Sequence, residues 1–355
     1  MLNVIQGPAI DALTGHSGLA WNVLEQRMLP SITTYVPFGC PDWGAPGGIR
    51  DPRKCVFCAL PDAPKVYEKE FNEGKKLTVE EMVQLFMAVV VQKALPLAPS
   101  ILKIFNAGSF LAMPEKIQEE MMETVVSKLP SVRYVVIEAR AILITDERVR
   151  PLTNILMKGG KKLQILIGIE TQDDKLRNHE LGKGHSRRAL YAAKDAMLRN
   201  GVSSGAYVLL KPALSRDVRW LQQEAQDSII WMLEKKEGGL ELDEVQFNPT
   251  CVAPGTKLFD SWVSGSFQPP SLRSIVGVLG RVVGRFPGKV VLGRFVDEPA
   301  FVAVPSNHVP QGIDEALTQA QGCDLSFHRF LDAYRKKMDP AVLSVVPACT
   351  CQPTW

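Results

Sequence analysis

Short apolar segments alternate with amphipathic segments along most of the chain between residues 31 and 250. The apolar segments are rich in β-branched and aromatic residues and predict strands. The predicted strands are Ser31–Phe38, Ile101–Phe105, Arg133–Ala139, Leu163–Ile169, Ser204–Leu210 and Glu244–Asn248. The segments between them have helical signals: Thr78 and Glu81 have the spacing of a capping box, and Gly201 is a typical stop signal.

This alternation of strands and helices predicts parallel βα units. Six such units predict an α/β fold of the partial (βα)6 barrel type, with a functional site at the carboxyl ends of the strands. Beyond residue 250 the pattern changes to two predicted helices, near 271–285 and 324–337, around a β-rich piece at 290–304. The predicted organisation is an N-terminal extension over 1–30, the barrel over 31–250 and a C-terminal accessory region over 251–355.

Composition and charge narrow the classes of function. The chain has 355 residues, of which 46% are hydrophobic, and it lacks both an apolar stretch of membrane-spanning length and a secretory signal pattern. We therefore expect a cytoplasmic protein with no membrane partner. The net charge of +3 gives little support to a nucleic-acid-binding surface. Seven cysteines in a reducing compartment favour metal binding or thiol chemistry over disulfides.

Three of these cysteines follow the first predicted strand. Cys40, Cys55 and Cys58 have the pattern Cys-x14-Cys-x2-Cys, and the loop after Cys40 is rich in Gly, Pro and Asp. Three thiolates on one loop fit an iron–sulfur cubane that keeps one iron open for another ligand. From spacing alone, half of a zinc site, a thioredoxin-like redox pair and three unrelated cysteines stay open as alternatives.

The first strand, the three-cysteine loop and the (βα)6 pattern together resemble the radical S-adenosylmethionine (SAM) superfamily. The usual spacing there is Cys-x3-Cys-x2-Cys, and this chain departs from it by a long insertion after Cys40. Long first spacings occur in the branch that contains the tRNA-modifying Elongator catalytic subunit and the archaeosine-synthesis radical SAM proteins. The resemblance to that branch extends over about residues 31–270.

Motifs at the ends of later strands carry this resemblance. They are the Gly-Ser-Phe segment within residues 106–110, the Glu-x-Arg at 138–140, the Gly-x-Glu-Thr at 168–171 and the Gly-Lys-Gly at 182–184. The resemblance implies a [4Fe-4S] cluster on the three cysteines and SAM as its ligand. The implied SAM-binding residues are Asn106, Gly108, Ser109, Glu138, Arg140, Glu170, Lys183 and Lys211. For Lys211, an ordinary lysine at the rim of the barrel is an equal alternative.

In this family the reduced cluster passes an electron to the SAM sulfonium. Cleavage toward the ribose gives a 5′-deoxyadenosyl radical, and cleavage toward the methionine side chain gives a 3-amino-3-carboxypropyl radical. The barrel motifs do not choose between the two. The resemblance also implies an electron donor such as a flavodoxin or a ferredoxin.

Four further cysteines suggest a substrate. Cys349 and Cys351 lie almost at the C-terminus, after an apolar segment, and Cys251 and Cys323 precede them. Thiolates suit a soft centre such as trivalent arsenic, which favours three of them. The chain also resembles the radical SAM enzymes of arsinothricin biosynthesis, which implies transfer of the 3-amino-3-carboxypropyl group of SAM to arsenite, giving hydroxyarsinothricin. Idle thiols on a disordered tail, or an auxiliary iron–sulfur cluster, are the alternatives.

Two other functions stay open from the sequence. An archaeosine-synthase-like enzyme would act on a modified tRNA base through a 5′-deoxyadenosyl radical, and in this alternative nucleic acid is the partner. It accounts for the branch resemblance but not for the thiol tail. A zinc-binding module without catalysis is the third hypothesis, and metal analysis would separate it from the others.

Overall fold

A computed structural model of the chain describes residues 8–40, 55–58, 63–212, 217–236, 238–293, 302–307 and 323–348. The predicted arsenic ligands Cys349 and Cys351 lie outside the described residues. Within these ranges, no helix has the length and apolar character needed to cross a membrane.

The strands of the described residues form one eight-stranded sheet whose order follows the chain. The strands are β1 (Thr14–Asn22), β2 (Arg27–Tyr35), β3 (Ile101–Phe105), β4 (Tyr134–Ala139), β5 (Lys162–Glu170), β6 (Ser203–Leu210), β7 (Glu244–Pro249) and β8 (Val290–Leu292). β1 is antiparallel to β2, whereas β2 to β5 pair in parallel, as do β7 and β8. The predicted strands are β2 to β7, and the predicted α/β class is confirmed.

Helices fill the connections between the parallel strands, and one further helix precedes β1 and another follows β8. They are α1 (Pro8–Asp11), α2 (Ala63–Phe71), α3 (Val79–Val89), α4 (Leu95–Leu97), α5 (Glu115–Lys128), α6 (Asp146–Lys158), α7 (Arg187–Arg199), α8 (Val218–Leu233), α9 (Lys257–Val263), α10 (Leu272–Val282) and α11 (Asp324–Lys337). A π-helical turn, Val90–Ala94, joins α3 to α4. The capping box predicted before α3 is confirmed: the Glu81 amide donates to the Thr78 hydroxyl and the Thr78 amide to the Glu81 carboxylate.

The chain divides into two compact units. The first comprises Met1–Pro52, Leu60–Gly168 and Arg187–Gly205, and the second Arg53–Ala59, Ile169–Ser186 and Ala206–Trp355. In the first unit, no residue of β3 or β4 is exposed and most are buried, as expected for parallel strands that are covered on both faces. Their side chains, with those of α5 and α6, form the core of this unit, to which Ile104, Val135 and Met121 contribute fully buried side chains.

The strand β1 was not among the predicted strands, and it lies in the predicted N-terminal extension. The centre of β1 is exposed and contains Gly15 and Gly18, so no apolar alternation marks it in the sequence. Glu25, in the turn after β1, accepts a hydrogen bond from the Tyr134 hydroxyl (2.7 Å) and pairs with Arg133. These contacts join the β1–β2 hairpin to the start of β4.

In the second unit, part of the predicted accessory region belongs to the sheet. β8 pairs in parallel with β7, Val290 opposite Val245, and so extends the sheet beyond the predicted sixth strand. The bounds of α11 agree with the predicted helix. The Tyr334 hydroxyl of α11 donates to the Val290 carbonyl (2.6 Å), which ties this helix to the last strand.

Candidate functional site

In the first unit, the segment after β3 contains buried polar side chains. Asn106 and Ser109 are both fully buried, and the Asn106 side-chain amide donates to the Ser109 carbonyl (2.9 Å). The Ser109 hydroxyl accepts from the backbone amide of Arg140, just after β4 (3.1 Å). Among the described residues, no donor reaches Oδ1 of Asn106. A buried acceptor without a partner is costly in a folded protein and marks a place where a ligand can donate to it.

Gly108 lets the backbone at Gly39 and Cys40 pack closely against this segment. A Cβ atom at Gly108 would lie 2.5 Å from the Gly39 carbonyl oxygen and 2.7 Å from Cα of Cys40. The Gly39 amide donates to the Asn106 carbonyl (2.9 Å), which fixes the same approach. Only glycine has room here, so Gly108 is a packing requirement for the position of Cys40.

Arg140 is the basic group beside Cys40. Burial lowers the pKa of the Arg140 guanidinium, and the Cys40 thiolate acts in the opposite direction. Arg140 thus supplies positive charge to the first predicted cluster ligand. Glu138, the other member of the Glu-x-Arg motif, is partly buried on β4, where it pairs with Leu166 of β5.

In the second unit, β5 ends at a strained and buried carboxylate. Glu170 has a φ of +70°, in the left-handed region that non-glycine residues rarely occupy. Its carboxylate lies 2.9 Å from Nζ of Lys183, with the two side chains only 6% and 14% exposed. Such strain at a strand end is typical of functional sites, because the surrounding structure must impose it.

The turn that contains the other two cysteines packs beside Lys183. The Cys58 amide donates to the Cys55 carbonyl (2.9 Å), and Cys55 has a φ of +50°. Between them, the Val56 amide donates to the Leu181 carbonyl (3.4 Å), and Phe57 lies under Nζ of Lys183, 5.6 Å from the ring centroid. The apolar side chains of this turn pack on Leu176, Leu181 and Leu221.

Two buried charged residues that the sequence did not indicate hold the segment after β5. Glu224 of α8 accepts from the hydroxyls of Thr171 (2.5 Å) and Ser228 (2.7 Å), and burial raises the pKa of its carboxyl group. Arg177 is completely buried and donates to the carbonyls of Thr171 and His185, both at 2.8 Å. In the sequence, the only sign of the Glu224 contacts is a glutamate at a position on the buried side of α8. That sign does not identify the hydroxyl groups with which the glutamate pairs.

The remaining predicted residues of the second unit lie after later strands. Lys211 follows β6 with a φ of +59°, its Nζ is 5.4 Å from the centroid of Phe267, and burial lowers its pKa to about 8. Cys251 follows β7, is buried, and its thiol donates to the Pro249 carbonyl (3.6 Å). Cys323 is the N-cap of α11, and its sulfur accepts from Nδ2 of Asn307 (3.5 Å).

The predicted cluster cysteines are divided between the two units. Cys40 belongs to the first unit and Cys55 and Cys58 to the second, and all three are partly buried and outside any disulfide of the described residues. In the part of the chain that the structure describes, no three Cys, His, Asp or Glu side chains are grouped as ligands of a metal ion. A cubane binds one thiolate on each iron rather than several on a single ion.

The residues around these cysteines nevertheless fit a cluster and its ligand. Each part of the loop has a cation beside its thiols, Arg140 in the first unit and Lys183 in the second. Cysteines become thiolate ligands in such electropositive surroundings. The unsatisfied oxygen of Asn106 lies in the segment that packs against the backbone of Cys40.

Comparison with known proteins identifies the fold class. No protein-family model matches the chain. Among solved structures, the archaeal Methanocaldococcus infernus Elp3 with an N-terminal deletion superimposes with a TM-score of 0.50 at 12% sequence identity. The match covers 70% of this chain and 58% of the Elp3 chain, so the chain spans less than two thirds of that protein. At this identity, the similarity establishes the fold alone.

Two curated relatives are more similar in sequence. The chain is 26% identical over 320 residues to archaeosine synthase subunit beta of Methanosarcina acetivorans, covering 89% of this chain and 81% of the relative. It is 28% identical over 241 residues to archaeosine synthase subunit beta of Thermococcus kodakarensis, covering 67% and 69%. Together these similarities confirm the predicted resemblance to the Elongator and archaeosine-synthesis branch of the radical SAM superfamily.

Proposed function

We propose that the chain holds a [4Fe-4S] cluster through Cys40, Cys55 and Cys58 and uses it to cleave SAM reductively. The observation that carries the proposal is the packing of Gly39 and Cys40 against Gly108. It places a candidate cluster cysteine against the strand-end segment whose buried Asn106 oxygen needs a donor. A cluster ligand and an acceptor for an ammonium group are what SAM requires from one site.

The proposed SAM-binding residues have complementary tasks. Oδ1 of Asn106 accepts from the amino group of SAM, and the Arg140 guanidinium binds its carboxylate. Glu138 and Glu170 are the acceptors for the ribose hydroxyls, while the backbones of Gly108 and Ser109 line the approach. Lys183 and Lys211 supply positive charge. When bound, the reduced cluster donates an electron to the SAM sulfonium, and the S–C bond that breaks decides which radical forms.

Metal and sulfide analysis tests the cluster. The purified chain is reconstituted anaerobically, and iron and sulfide are measured for the wild type, for Cys55→Ser and for Cys323→Ser as the matched cysteine control. We expect cluster loading in the wild type and the control and its loss in Cys55→Ser. Zinc without iron or sulfide would contradict the proposal and favour the non-catalytic zinc module.

For the reaction itself, we propose transfer of the 3-amino-3-carboxypropyl group of SAM to arsenite, with formation of a C–As bond. The resemblance to the arsinothricin enzymes supports this substrate, as do the thiols outside the cluster loop. Of these, Cys251 is buried immediately after β7, at the strand ends where the site is expected, and Cys323 begins α11. Cys349 and Cys351 are the further proposed thiolate ligands of As(III).

A second candidate reaction acts on a modified tRNA base. The observation that favours it is the similarity to archaeosine synthase subunit beta over most of the chain. In this alternative, the SAM-binding residues orient the substrate for a 5′-deoxyadenosyl radical, and nucleic acid is the partner. The net charge of +3 gives it little electrostatic support.

Product analysis separates the two reactions. The loaded enzyme is reduced with SAM and arsenite, and in parallel with SAM and a tRNA that carries the archaeosine precursor base. Arsenite transfer predicts methylthioadenosine together with an aminocarboxypropyl arsenical, identified by mass spectrometry. Formation of 5′-deoxyadenosine with a changed tRNA base, and no arsenical, would replace the first proposal by the second.

The thiol tail has its own test. Replacing both Cys349 and Cys351 by Ser removes two soft ligands without touching the cluster loop. We therefore expect unchanged iron and sulfide content but a clearly weaker affinity for arsenite, measured by binding titration. An unchanged affinity would contradict the role of the tail.

A further inference from the structure

Lys183 is an unusually buried lysine. Its side chain is 14% exposed, and its Nζ lies 2.9 Å from Oε1 of Glu170. Lysines are rarely buried to this extent unless they are paired. The amide of Lys183 also donates to the Arg177 carbonyl (3.0 Å), so the backbone at this position is fixed as well.

The Lys183 segment is attached to the Cys55–Cys58 turn within the second unit. The Val56 amide donates to the Leu181 carbonyl, and the side chains of Val56 and Phe57 belong to the same apolar cluster as Leu181. Nζ of Lys183 lies over the ring of Phe57, which separates the two cysteines in sequence. The ammonium group is therefore held at one side of a turn with a thiol at each end.

The balance of charges at Lys183 supports the same arrangement. Burial lowers the pKa of Lys183, but the Glu170 carboxylate and the thiolates of Cys55 and Cys58 more than offset this, so that its pKa is raised overall. The Glu170 carboxylate, 2.9 Å from Nζ, carries the negative charge that compensates the buried Lys183 ammonium group.

We propose that Lys183 and Glu170 set the reduction potential of the cluster, Lys183 raising it and Glu170 opposing this. The inference rests on the proposed function, because it concerns the cluster held by Cys55 and Cys58. Reduction adds one negative charge to the cluster, and a nearby cation stabilises that state while a nearby anion destabilises it. Lys183, given above as a SAM-binding residue, then acts on the cluster as well.

The test compares four variants, each reconstituted and analysed for iron and sulfide before any potential is measured. Lys183→Gln removes the cation, Lys183→Arg keeps it, and Glu170→Gln removes the opposing anion. Lys75→Gln, from an exposed pair with Glu73, controls for the loss of a lysine charge elsewhere. Midpoint potentials come from redox titration of the cluster without SAM, followed by electron paramagnetic resonance (EPR).

We expect shifts of opposite sign. Lys183→Gln lowers the ratio of reduced to oxidised cluster at a fixed potential by on the order of tenfold, which is about 59 mV for one electron. Glu170→Gln raises the same ratio, while Lys183→Arg and Lys75→Gln stay close to the wild type. If the substitutions acted only through lost packing, the reduction potential would not shift in opposite directions in Lys183→Gln and Glu170→Gln.

Two results would overturn this inference and leave the proposed function standing. One is an unchanged potential in loaded Lys183→Gln, and the other is a shift of the same sign in Lys183→Gln and Glu170→Gln. If Lys183→Gln takes up no cluster, Glu170→Gln decides: a raised potential supports the inference, and an unchanged or lowered one overturns it. A wild-type chain that takes up no iron and sulfide overturns the proposed function, and the inference with it.

Discussion

Glu224 shows how a residue outside the predicted site shapes it. Its carboxylate accepts from the Thr171 hydroxyl, and Thr171 directly follows the strained Glu170. Left-handed backbone at a glutamate persists only when neighbouring contacts impose it. The link from α8 to the end of β5 joins residues far apart in the chain, so no local sequence pattern could predict it.

The first prediction concerns the stability contributed by Glu224. Glu224→Ala leaves the hydroxyls of Thr171 and Ser228 without their acceptor, and we expect a loss of about 1–3 kcal/mol in the free energy of unfolding. Glu224→Gln keeps an acceptor oxygen and should lose less. Urea denaturation measures both, with the exposed Glu73→Gln as control. Equal stability of Glu224→Ala and the control would show that the network contributes nothing.

Lys211 gives a prediction about pH. Burial lowers its pKa from 10.5 to about 8, so between pH 8 and 10.5 the unfolded chain binds more protons at this position than the folded one. The cost of the buried charge is fully present below pH 8 and is relieved as the pH rises through this window. Lys211→Met removes that cost, so the variant should have a higher Tm than the wild type at pH 7.

Measuring the Tm of Lys211→Met and of the wild type at pH 10 as well tests the lowered pKa of Lys211. The difference in Tm between Lys211→Met and the wild type should shrink from pH 7 to pH 10, because deprotonation relieves the wild type but leaves the variant unaffected. The exposed Lys75→Met should show no such trend. A difference for Lys211→Met that is constant with pH would contradict the lowered pKa.

At the scale of elements, the approach of two strand-end segments positions Cys40, the first of the proposed cluster ligands. Gly39 and Cys40 follow β2, Gly108 follows β3, and the two segments leave no space for a Cβ atom. In Gly108→Ala we expect displacement of Cys40 and loss of most of the cluster iron and sulfide, while the far-ultraviolet circular dichroism stays that of a folded chain. Full loading of this variant would mean that the contact does not position the cysteine.

Gly277 provides the matched control for this substitution. It lies inside α10, and an added Cβ meets nothing within 4 Å. Gly277→Ala should keep its iron and sulfide and gain roughly 0.5–1 kcal/mol in stability, because alanine is the better helix former. A loss of cluster in both variants would indicate a general effect of the substitution rather than a local one.

The sequence predicted the elements with strong local signals and missed those without them. β3, β7 and α11 were found with nearly their observed bounds, because apolar runs or helical periodicity mark them. β1 was missed because its exposed, glycine-containing centre has no alternation, and only its pairing with β2 makes it a strand.

Within the candidate site, the sequence predicted the motif residues but not the side chains that form hydrogen bonds around them. Arg177, for example, is buried only because the segment from Thr171 to His185 folds around it. Its sequence context is that of an ordinary surface arginine. Such contacts within a folded loop have no regular spacing that would mark them in the sequence.

For the whole molecule, the similarity to archaeosine synthase subunit beta agrees with the resemblance that the strand-end motifs predicted. The two compact units divide the proposed cluster ligands between them. A ligand that binds only the folded chain stabilises it, so we expect a higher Tm for the chain loaded with the proposed cluster than for the cluster-free chain. Equal values, measured anaerobically by calorimetry, would contradict a cluster bound to the folded chain.

The central claim is that one cluster, on Cys40, Cys55 and Cys58, has an open iron that SAM occupies. EPR spectroscopy of the reduced, reconstituted chain with and without SAM tests it most directly. We expect a [4Fe-4S] signal whose shape changes when SAM is added, and no such signal in Cys55→Ser. A cluster signal that SAM leaves unchanged would rule out SAM as a ligand of the open iron, and one that survives in Cys55→Ser would rule out Cys55 as a cluster ligand.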